Sequence, residues 1–260
     1  MITFYNKNMK YNRMQEMEIF IRDRKTVRNE ELLDKFSVSI QTLRRDLAAL
    51  EEKGAITKVY GGVVFNETSP DPLRKVSSYE ERSVSFAQEK EYIGRQAARM
   101  VSDGDVIFID SGTTAYRMLH YMEDLKDIKV ISHSLDVMNA VRDMPNITGI
   151  CAGGTLLHSN GTFVIDTSFY PYNYNKAFIA TVGISIAKDL TNTYVSEGYM
   201  KSHVISQSKK VYLVADHSKF GVIAYNHFAQ LTNIDAVITD RRPDDQFMSI
   251  FESNHIEVYY

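Results

Sequence analysis

The chain has 260 residues, enough for two domains or one large one, and its 44% hydrophobic and 24% charged residues belong to an ordinary globular protein, excluding disorder and collagen-like repeats. No run approaches about 18 consecutive apolar residues and the first ten residues are polar, so neither a transmembrane span nor a secretory signal is readable and the expected location is the cytoplasm. The net charge of -3 hides a gradient: residues 1–65 carry 12 Lys and Arg against 9 Asp and Glu, residues 66–260 carry 18 against 24, and only the N-terminal part suits a polyanion.

Three helical patterns open the chain, over residues 10–23, Asn29 to Phe36, and Ser39 to Lys53, the last ended by Gly54. Connections this short predict a compact three-helix unit. Ala55 to Tyr60 and Val63 to Phe65 then read as two short strands around Gly61-Gly62, where glycine supplies the positive-φ geometry of the turn. Helix, helix, helix, hairpin is the order of a winged helix-turn-helix.

In the third helix Ser39 is placed to cap the first turn, while Leu43, Leu47 and Leu50 recur at helical spacing as a buried stripe. That leaves Gln41, Thr42, Arg44 and Arg45 on other faces. Arg can read guanine bidentately in a major groove, Gln can read adenine, and Ser, Thr and Arg can hold the phosphates that fix register. With Lys58 on the wing, these are the candidate DNA contacts. An Arg pair alone is an ordinary solvated helix face; the turn Phe36-Ser37-Val38 before it and the hairpin after it give the pair its meaning.

Asn66 to Pro72 clusters turn formers with two prolines, a linker signature. The resulting division is a winged helix-turn-helix over residues 1–62, a linker over 63–78 and an α/β domain over 79–260. In that domain the patterns run helix Ser78 to Val101, strand Val106 to Ile109, helix Thr114 to Met122, strand Lys129 to Ile131 and helix Leu135 to Val141. Strands follow at Ile147 to Ala152, Ala177 to Ala180, Val211 to Ala215, Ala236 to Thr239 and Ile256 to Tyr259, with helices around Gly198 to Ser208 and Asp244 to Glu252. Strands apolar on both faces and alternating with helices predict a mostly parallel sheet. Cys151 cannot form an internal disulfide and sits in the apolar run Ile150 to Ala152, which predicts a buried, inert thiol.

Asp110-Ser111-Gly112-Thr113-Thr114 follows an apolar strand and opens a helix. Such a turn exposes N–H groups and hydroxyls at a positive helix terminus, which suits a phosphate, with Asp110 placed for a sugar hydroxyl; the same residues also make a plain capped turn. Ala215-Asp216-His217-Ser218-Lys219 repeats the logic after another strand, with Lys219 either neutralising phosphate or merely solvated. Glu197, at a helix start, serves either the helix dipole or a ligand, and Gly153-Gly154 either admits a ligand to the backbone or only turns the chain. The histidines, His133, His203, His217 and His227 among them, show no i, i+4 pairing and the lone cysteine supplies no Cys-x-x-Cys element, so they are expected to be satisfied surface or pocket groups rather than metal ligands. No nucleophile elbow or Walker-type run is present.

The run Phe36-Ser37-Val38-Ser39-Ile40-Gln41-Thr42-Leu43-Arg44-Arg45-Asp46-Leu47, with Leu50, Gly54, Ile56 and Gly61-Gly62, resembles the DNA-binding signature of the DeoR family of bacterial sugar-metabolism regulators. The resemblance continues through Tyr79 to Arg82, Lys90, Ile93 to Arg95, Asp110 to Thr114, Gly153-Gly154, Lys176 to Ile179, Glu197, Ala215-Asp216, Ser218 to Phe220 and Ile238 to Asp240. It departs at Arg28, where the family often has a capping Ser or Thr and Asn29 is the expected replacement, at Ser132-His133-Ser134 in place of Thr-Asn-Ser, and at Asn175 and Ala180 in place of Asp and Gly. It implies a repressor of a carbohydrate-utilisation operon that binds double-stranded operator DNA as a dimer or tetramer. It also implies an α/β sensor domain resembling sugar-phosphate isomerases, controlled by a phosphorylated sugar, with no cofactor. The alternative is an isomerase-like enzyme with an accessory DNA-binding domain, in which Asp110, Asp216, Glu197 and Lys219 do acid–base chemistry. The attached helix-turn-helix favours the regulator, because a DNA reader gives ligand binding an output that an isomerase does not need.

Overall fold

The computed structural model describes residues 13–14, 16–52, 54–66, 79–158, 160–164 and 171–260, and the chain divides into two compact units, Met1–Val76 and Ser77–Tyr260. Residues 67–78, most of the expected linker, lie outside the described residues.

The N-terminal unit holds a first helix, α1, described at residues 13–14 and 16–24, then β1 (Thr26–Arg28), α2 (Asn29–Phe36), α3 (Ile40–Glu52), β2 (Ile56–Val59) and β3 (Gly62–Phe65). Strand β3 lies between β1 and β2 and is antiparallel to both. The wing is thus a three-stranded sheet rather than a bare hairpin; β1 escaped the sequence reading because three residues with only Val27 buried show no period. Met17, Ile21, Leu32, Leu43, Leu47 and Leu50 form the core, closed from the sheet side by Val27, Ile56 and Val63. Val63 is fully buried, so strand and core extend past the expected boundary at residue 62. The cap of α2 is Arg28, not Asn29: the Glu31 carboxylate accepts the Arg28 backbone N–H at 3.4 Å. Ser37, in the left-handed region at φ 47, ends α2 and turns the chain toward α3.

The C-terminal unit begins with α4 (Tyr79–Val84) and α5 (Ala87–Ala98). The expected single helix breaks where Phe86 takes φ 50 and buries its ring. There follow β4 (Val106–Ile109), a 3-10 helix (Ala115–Tyr121) in place of the expected α-helix, β5 (Ile128–Ser132), α6 (Leu135–Val141), β6 (Ile147–Cys151), β7 (Thr155–Leu157) and β8 (Thr162–Val164). Then come β9 (Tyr174–Ile179), β10 (Gly183–Ser185), β11 (Asp189–Asn192), α7 (Val195–Ser206), β12 (Ser208–Val214), β13 (Asn226–Ala229), β14 (Ala236–Ile238), α8 (Asp245–Ser253) and β15 (Glu257–Tyr259).

Seven of these strands form one parallel sheet in the order β15-β14-β12-β9-β4-β5-β6. Along β4 the side chains alternate: Ile107 and Ile109 join Ile93, Met118 and Val137 on the face covered by α5, the 3-10 helix and α6, while Phe108 joins Met200, Val204 and Phe251 on the face covered by α7 and α8. Both faces are dry, so the sheet can be parallel throughout. The chain runs from β4 to β5 and β6 on one side and places β9, β12, β14 and β15 on the other, so the order reverses between β4 and β9. Ligand crevices of open α/β sheets form at such a reversal, beyond the carboxyl ends of the strands. A small antiparallel sheet β10-β11-β13 and the hairpin β7-β8 stand outside the main sheet; strands of three or four residues leave no legible alternation. Cys151, expected to be buried, is exposed because β6 is an edge strand whose pattern leaves three of five residues open.

Gly94 shows how closely α5 lies on the 3-10 helix: a Cβ there would stand 2.6 Å from the Arg117 Cβ and 2.7 Å from its carbonyl carbon. Backbone cannot yield as a side-chain tip does. Gly94→Ala is therefore expected to destabilise the C-terminal unit by about 1–3 kcal/mol, a fall of several degrees in thermal melting; an unchanged melting temperature would show that the two helices can separate at no cost.

Candidate functional site

On α3 the Ser39 hydroxyl accepts the Thr42 backbone N–H at 3.2 Å and lies 3.0 Å from the Thr42 hydroxyl, so these two residues cap the helix and support each other. Gln41, Arg44 and Arg45 are exposed, opposite the buried Leu43, Leu47 and Leu50. Between the two faces lies Asp46, fully buried, whose carboxylate takes Arg13 at 2.7 Å and fastens α1 to α3. Lys58 is exposed but engaged: its ammonium lies 2.9 Å from Glu51 and its backbone N–H donates to the same carboxylate at 3.1 Å. These hydrogen bonds hold the Glu51 carboxyl below its usual range. The wing turns through Gly61 at φ 76, whose carbonyl accepts the Asn29 N–H at 3.0 Å, and Tyr60 stands fully exposed at its tip. A solvated helix face carrying two arginines, fixed in angle to a wing, fits a major groove.

In the C-terminal unit Asp110 ends β4 at the reversal of strand order. Its Oδ1 accepts the Ser111 N–H at 2.8 Å, and its Oδ2 accepts the Ala180 N–H at 2.8 Å and stands 3.0 Å from the Lys201 ammonium. Burial raises its pKa, but Lys201, His133 and the two hydrogen bonds to Oδ2 outweigh that and hold the carboxyl below its ordinary range. Lys201, on α7, also donates to the Ala180 carbonyl at 2.7 Å, so one ammonium and one carboxylate clamp the loop after β9. Gly112 allows the turn after β4 to approach that loop, because a Cβ there would stand 2.3 Å from the Ala180 Cβ. Thr113 and Thr114 are buried behind it.

Glu197, in the first turn of α7, is oriented by two side-chain amides: Asn192 donates at 2.6 Å and Asn160 donates to the other oxygen, while Thr162 donates to Asn160 at 2.8 Å. With His133, Thr162, Phe163, Ser196 and Met200 it lines a narrow pocket. His133 was expected to be a satisfied group, yet both ring nitrogens are buried without a hydrogen-bond partner. Burial lowers its pKa, against the pull of Asp110 and Glu197.

Asp216 and Lys219 gather at the end of β12, with β9 between them and β4. Asp216 caps a short 3-10 helix (His217–Lys219), accepting the Ser218 N–H at 3.0 Å and the Ser218 hydroxyl, with the Lys219 ammonium 4.0 Å from its other oxygen. Burial opposes ionisation, but Lys219 and Lys90 pull the Asp216 pKa down to about 2. The carboxylates expected to hold ligand hydroxyls, Asp110 and Asp216, are both fully buried; Asp110 faces protein donors through both oxygens, Asp216 through Oδ1, while its Oδ2 has no hydrogen-bond partner. Gly153 and Gly154, at φ 76 and 105, turn the chain after β6 and are not among the residues lining the pocket at His133. Lys201 was missed although the signal existed: it lies four residues after Glu197, on the same side of one helix.

A winged helix-turn-helix joined to a doubly wound α/β unit, with a charged turn at its switch point and a narrow pocket at His133 and Glu197, is the build of a ligand-responsive DNA-binding regulator. Residues 13–69 match the model of a DeoR-like helix-turn-helix domain and residues 85–241 that of the DeoR C terminal sensor domain. The chain is 35% identical to the HTH-type transcriptional regulator IolR of Bacillus subtilis over 96% of its own length and 99% of the relative's. It is 32% identical to the HTH-type transcriptional repressor GlcR of the same organism, covering 92% of each, and 30% identical to the Glycerol-3-phosphate regulon repressor of Escherichia coli, covering 89% of this chain and 91% of that one. Ribose 5-phosphate isomerase A of Methanocaldococcus jannaschii is 17% identical over 52% of this chain and 55% of its own, with a TM-score of 0.40, too distant to bear on function. The chain belongs to the DeoR family of transcriptional regulators and is a regulator rather than an enzyme. Among the described residues no helix is long and apolar enough to cross a membrane.

The Asp216 pKa, below its ordinary 3.8, sets a pH dependence of stability. A depressed carboxyl stabilises the fold fully above its unfolded pKa and loses that contribution as pH falls through the folded value. The contribution is therefore whole above about pH 4 and drains toward pH 2. Denaturant titrations of wild type and Asp216→Asn at pH 6 and pH 3 should show the gap between them narrowing at the lower pH; a constant gap would mean that the carboxylate charge contributes nothing.

Proposed function

We propose that this regulator is a cytoplasmic repressor of a carbohydrate-utilisation operon and leaves its operator when a phosphorylated sugar occupies the crevice between β4 and β9. The observation that carries the reading is the Asp110–Thr114 turn at the switch point, with Asp110 locked behind it by Ala180 and Lys201. That lock orients the turn so that the N–H groups of Ser111, Gly112, Thr113 and Thr114 and the Thr113 hydroxyl receive the phosphate, with Lys219 supplying positive charge from the end of β12. Glu197 takes a sugar hydroxyl. Asp110 and Asp216 act from behind the ligand by holding the turns. The Lactose phosphotransferase system repressor of Staphylococcus epidermidis, 30% identical over 89% of this chain, and the glycerol-3-phosphate repressor carry names in keeping with this reading.

DNA is read by α3, through Gln41, Arg44 and Arg45 with Ser39, Thr42 and Lys58 in support, and the protein acts as a homodimer or a higher symmetric assembly. One short helix covers a half-site, and two-fold pairing lets half-sites about 10 bp apart or a multiple be read together. The two sites should separate by mutation. Thr113→Ala or Lys219→Ala leaves operator affinity intact and abolishes its response to a phosphosugar that binds the wild type, whereas Arg44→Ala or Arg45→Ala weakens operator binding about tenfold, the worth of one bidentate contact, and leaves sugar binding unchanged. Gel shifts with and without the sugar, alongside calorimetry, give both readouts; full response in the Thr113 and Lys219 variants would move the phosphate site elsewhere. The isolated N-terminal unit should bind the operator far more weakly than the full chain, and equal affinity and salt dependence would remove the argument for pairing.

A further inference from the structure

His133 is 2% exposed and is the one buried group of the crevice with two idle ring nitrogens. Leaving a buried polar group unpaired costs about 1–3 kcal/mol, so an unpaired imidazole held rigidly in a pocket is waiting for a partner. It is held rigidly: the ring stacks on Phe108 at 5.6 Å and 12°, and the His133 carbonyl accepts the Phe163 N–H at 2.8 Å. Asp110 is not the partner, since its Oδ1 lies 3.7 Å from Nε2, beyond hydrogen-bond distance. The charged groups around the ring are Asp110, Lys201 and Glu197. Asp110 and Lys201 neutralise each other, so Glu197 leaves the pocket with an anionic excess that disfavours phosphate. A neutral imidazole offers one N–H and one lone pair, while the carboxylate offers lone pairs only. The group that satisfies both at once is a hydroxyl.

We propose that His133 is a specificity-determining residue that receives a hydroxyl of the polyhydroxylated part of a phosphorylated sugar or alditol between its ring and Glu197, while the phosphate stays at the turn Ser111 to Thr114. The inference rests on the effector reading above. The test titrates the full-length protein with glycerol 3-phosphate, ribitol 5-phosphate and glucitol 6-phosphate by calorimetry, in wild type, His133→Phe and His133→Asn, with thermal melting and operator binding as folding controls. Wild type is expected to bind the two longer probes more tightly than glycerol 3-phosphate. His133→Phe should lose about tenfold on the longer probes, the loss of one hydrogen bond in a dry pocket, and stay within about twofold on the short one. His133→Asn, which keeps a donor and an acceptor, should retain most of the affinity. Imidazole nitrogen resonances of wild-type His133 give a readout that needs no variant: they should shift with ribitol 5-phosphate and not with glycerol 3-phosphate. Equal loss on short and long probes, no loss at all, or unmoved resonances with the probe bound would overturn the inference and leave the effector reading standing. Failure of all three probes to bind wild type would remove both.

Discussion

The C-terminal unit is organised around a carboxylate that no solvent reaches. Asp110 stands at the end of β4, where the strand order reverses, and an ion in that position is tolerable only if its charge is answered on the spot. Three elements answer it: the first N–H of its own turn, the Ala180 N–H after β9, and the Lys201 ammonium from α7. Each bond ties a different segment to the same point, so the crevice inherits its shape from electrostatic necessity. Gly112 completes the arrangement by letting the turn close on Ala180 without a side chain between them.

Two further cations, one buried and one half-buried, secure the entry to this unit. The carbonyls at the end of α4 would be unsatisfied where the chain breaks at Phe86. Lys90, almost wholly buried, donates to the carbonyls of Arg82 and Ser85, and Arg117 donates to that of Ser83 at 3.1 Å. Burial lowers the Lys90 pKa to about 8, and the Asp216 carboxylate is what pulls it back up. Arg117 belongs to the 3-10 helix that begins at the candidate phosphate turn, and Asp216 to the loop that carries Lys219. The end of α4 is therefore held by α5 and by the 3-10 helix that follows the candidate phosphate turn, and Asp216 acts on it only through the charge of Lys90.

What the sequence disclosed and what it withheld follow from the range of the forces involved. Helices α2 and α3, strand β4 and helix α6 were legible because periodicity and caps are local: Leu43, Leu47 and Leu50 mark their own face, and the run Val106 to Ile109 its own burial. The Asp110 to Thr114 turn was legible because strand, acid, hydroxyls and helix follow one another directly. Strand β1 and the sheet β10-β11-β13 were not, since these strands of three or four residues, without an unbroken apolar run, acquire meaning only from distant partners. The role of His133 was hidden for the same reason, since nothing near it in sequence shows that its ring lacks a partner. Lys201 shares a helix side with Glu197, but only the fold shows that it answers Asp110. The break at Phe86 was hidden too, because no glycine or proline marks it and only tertiary packing of the ring stabilises a left-handed backbone there.

The pairing of Lys58 with Glu51 bears on the electrolyte chemistry of DNA recognition. Each phosphate neutralised by a cationic side chain releases condensed counterions, and that release makes affinity fall steeply with added salt. A lysine already neutralised by its own recognition helix releases few. Under the proposed reading, in which the α3 arginines meet the operator, that charge is spent inside the protein, so affinity would rest more on their geometry and less on the ion atmosphere, favouring discrimination among sequences over general attraction to any duplex.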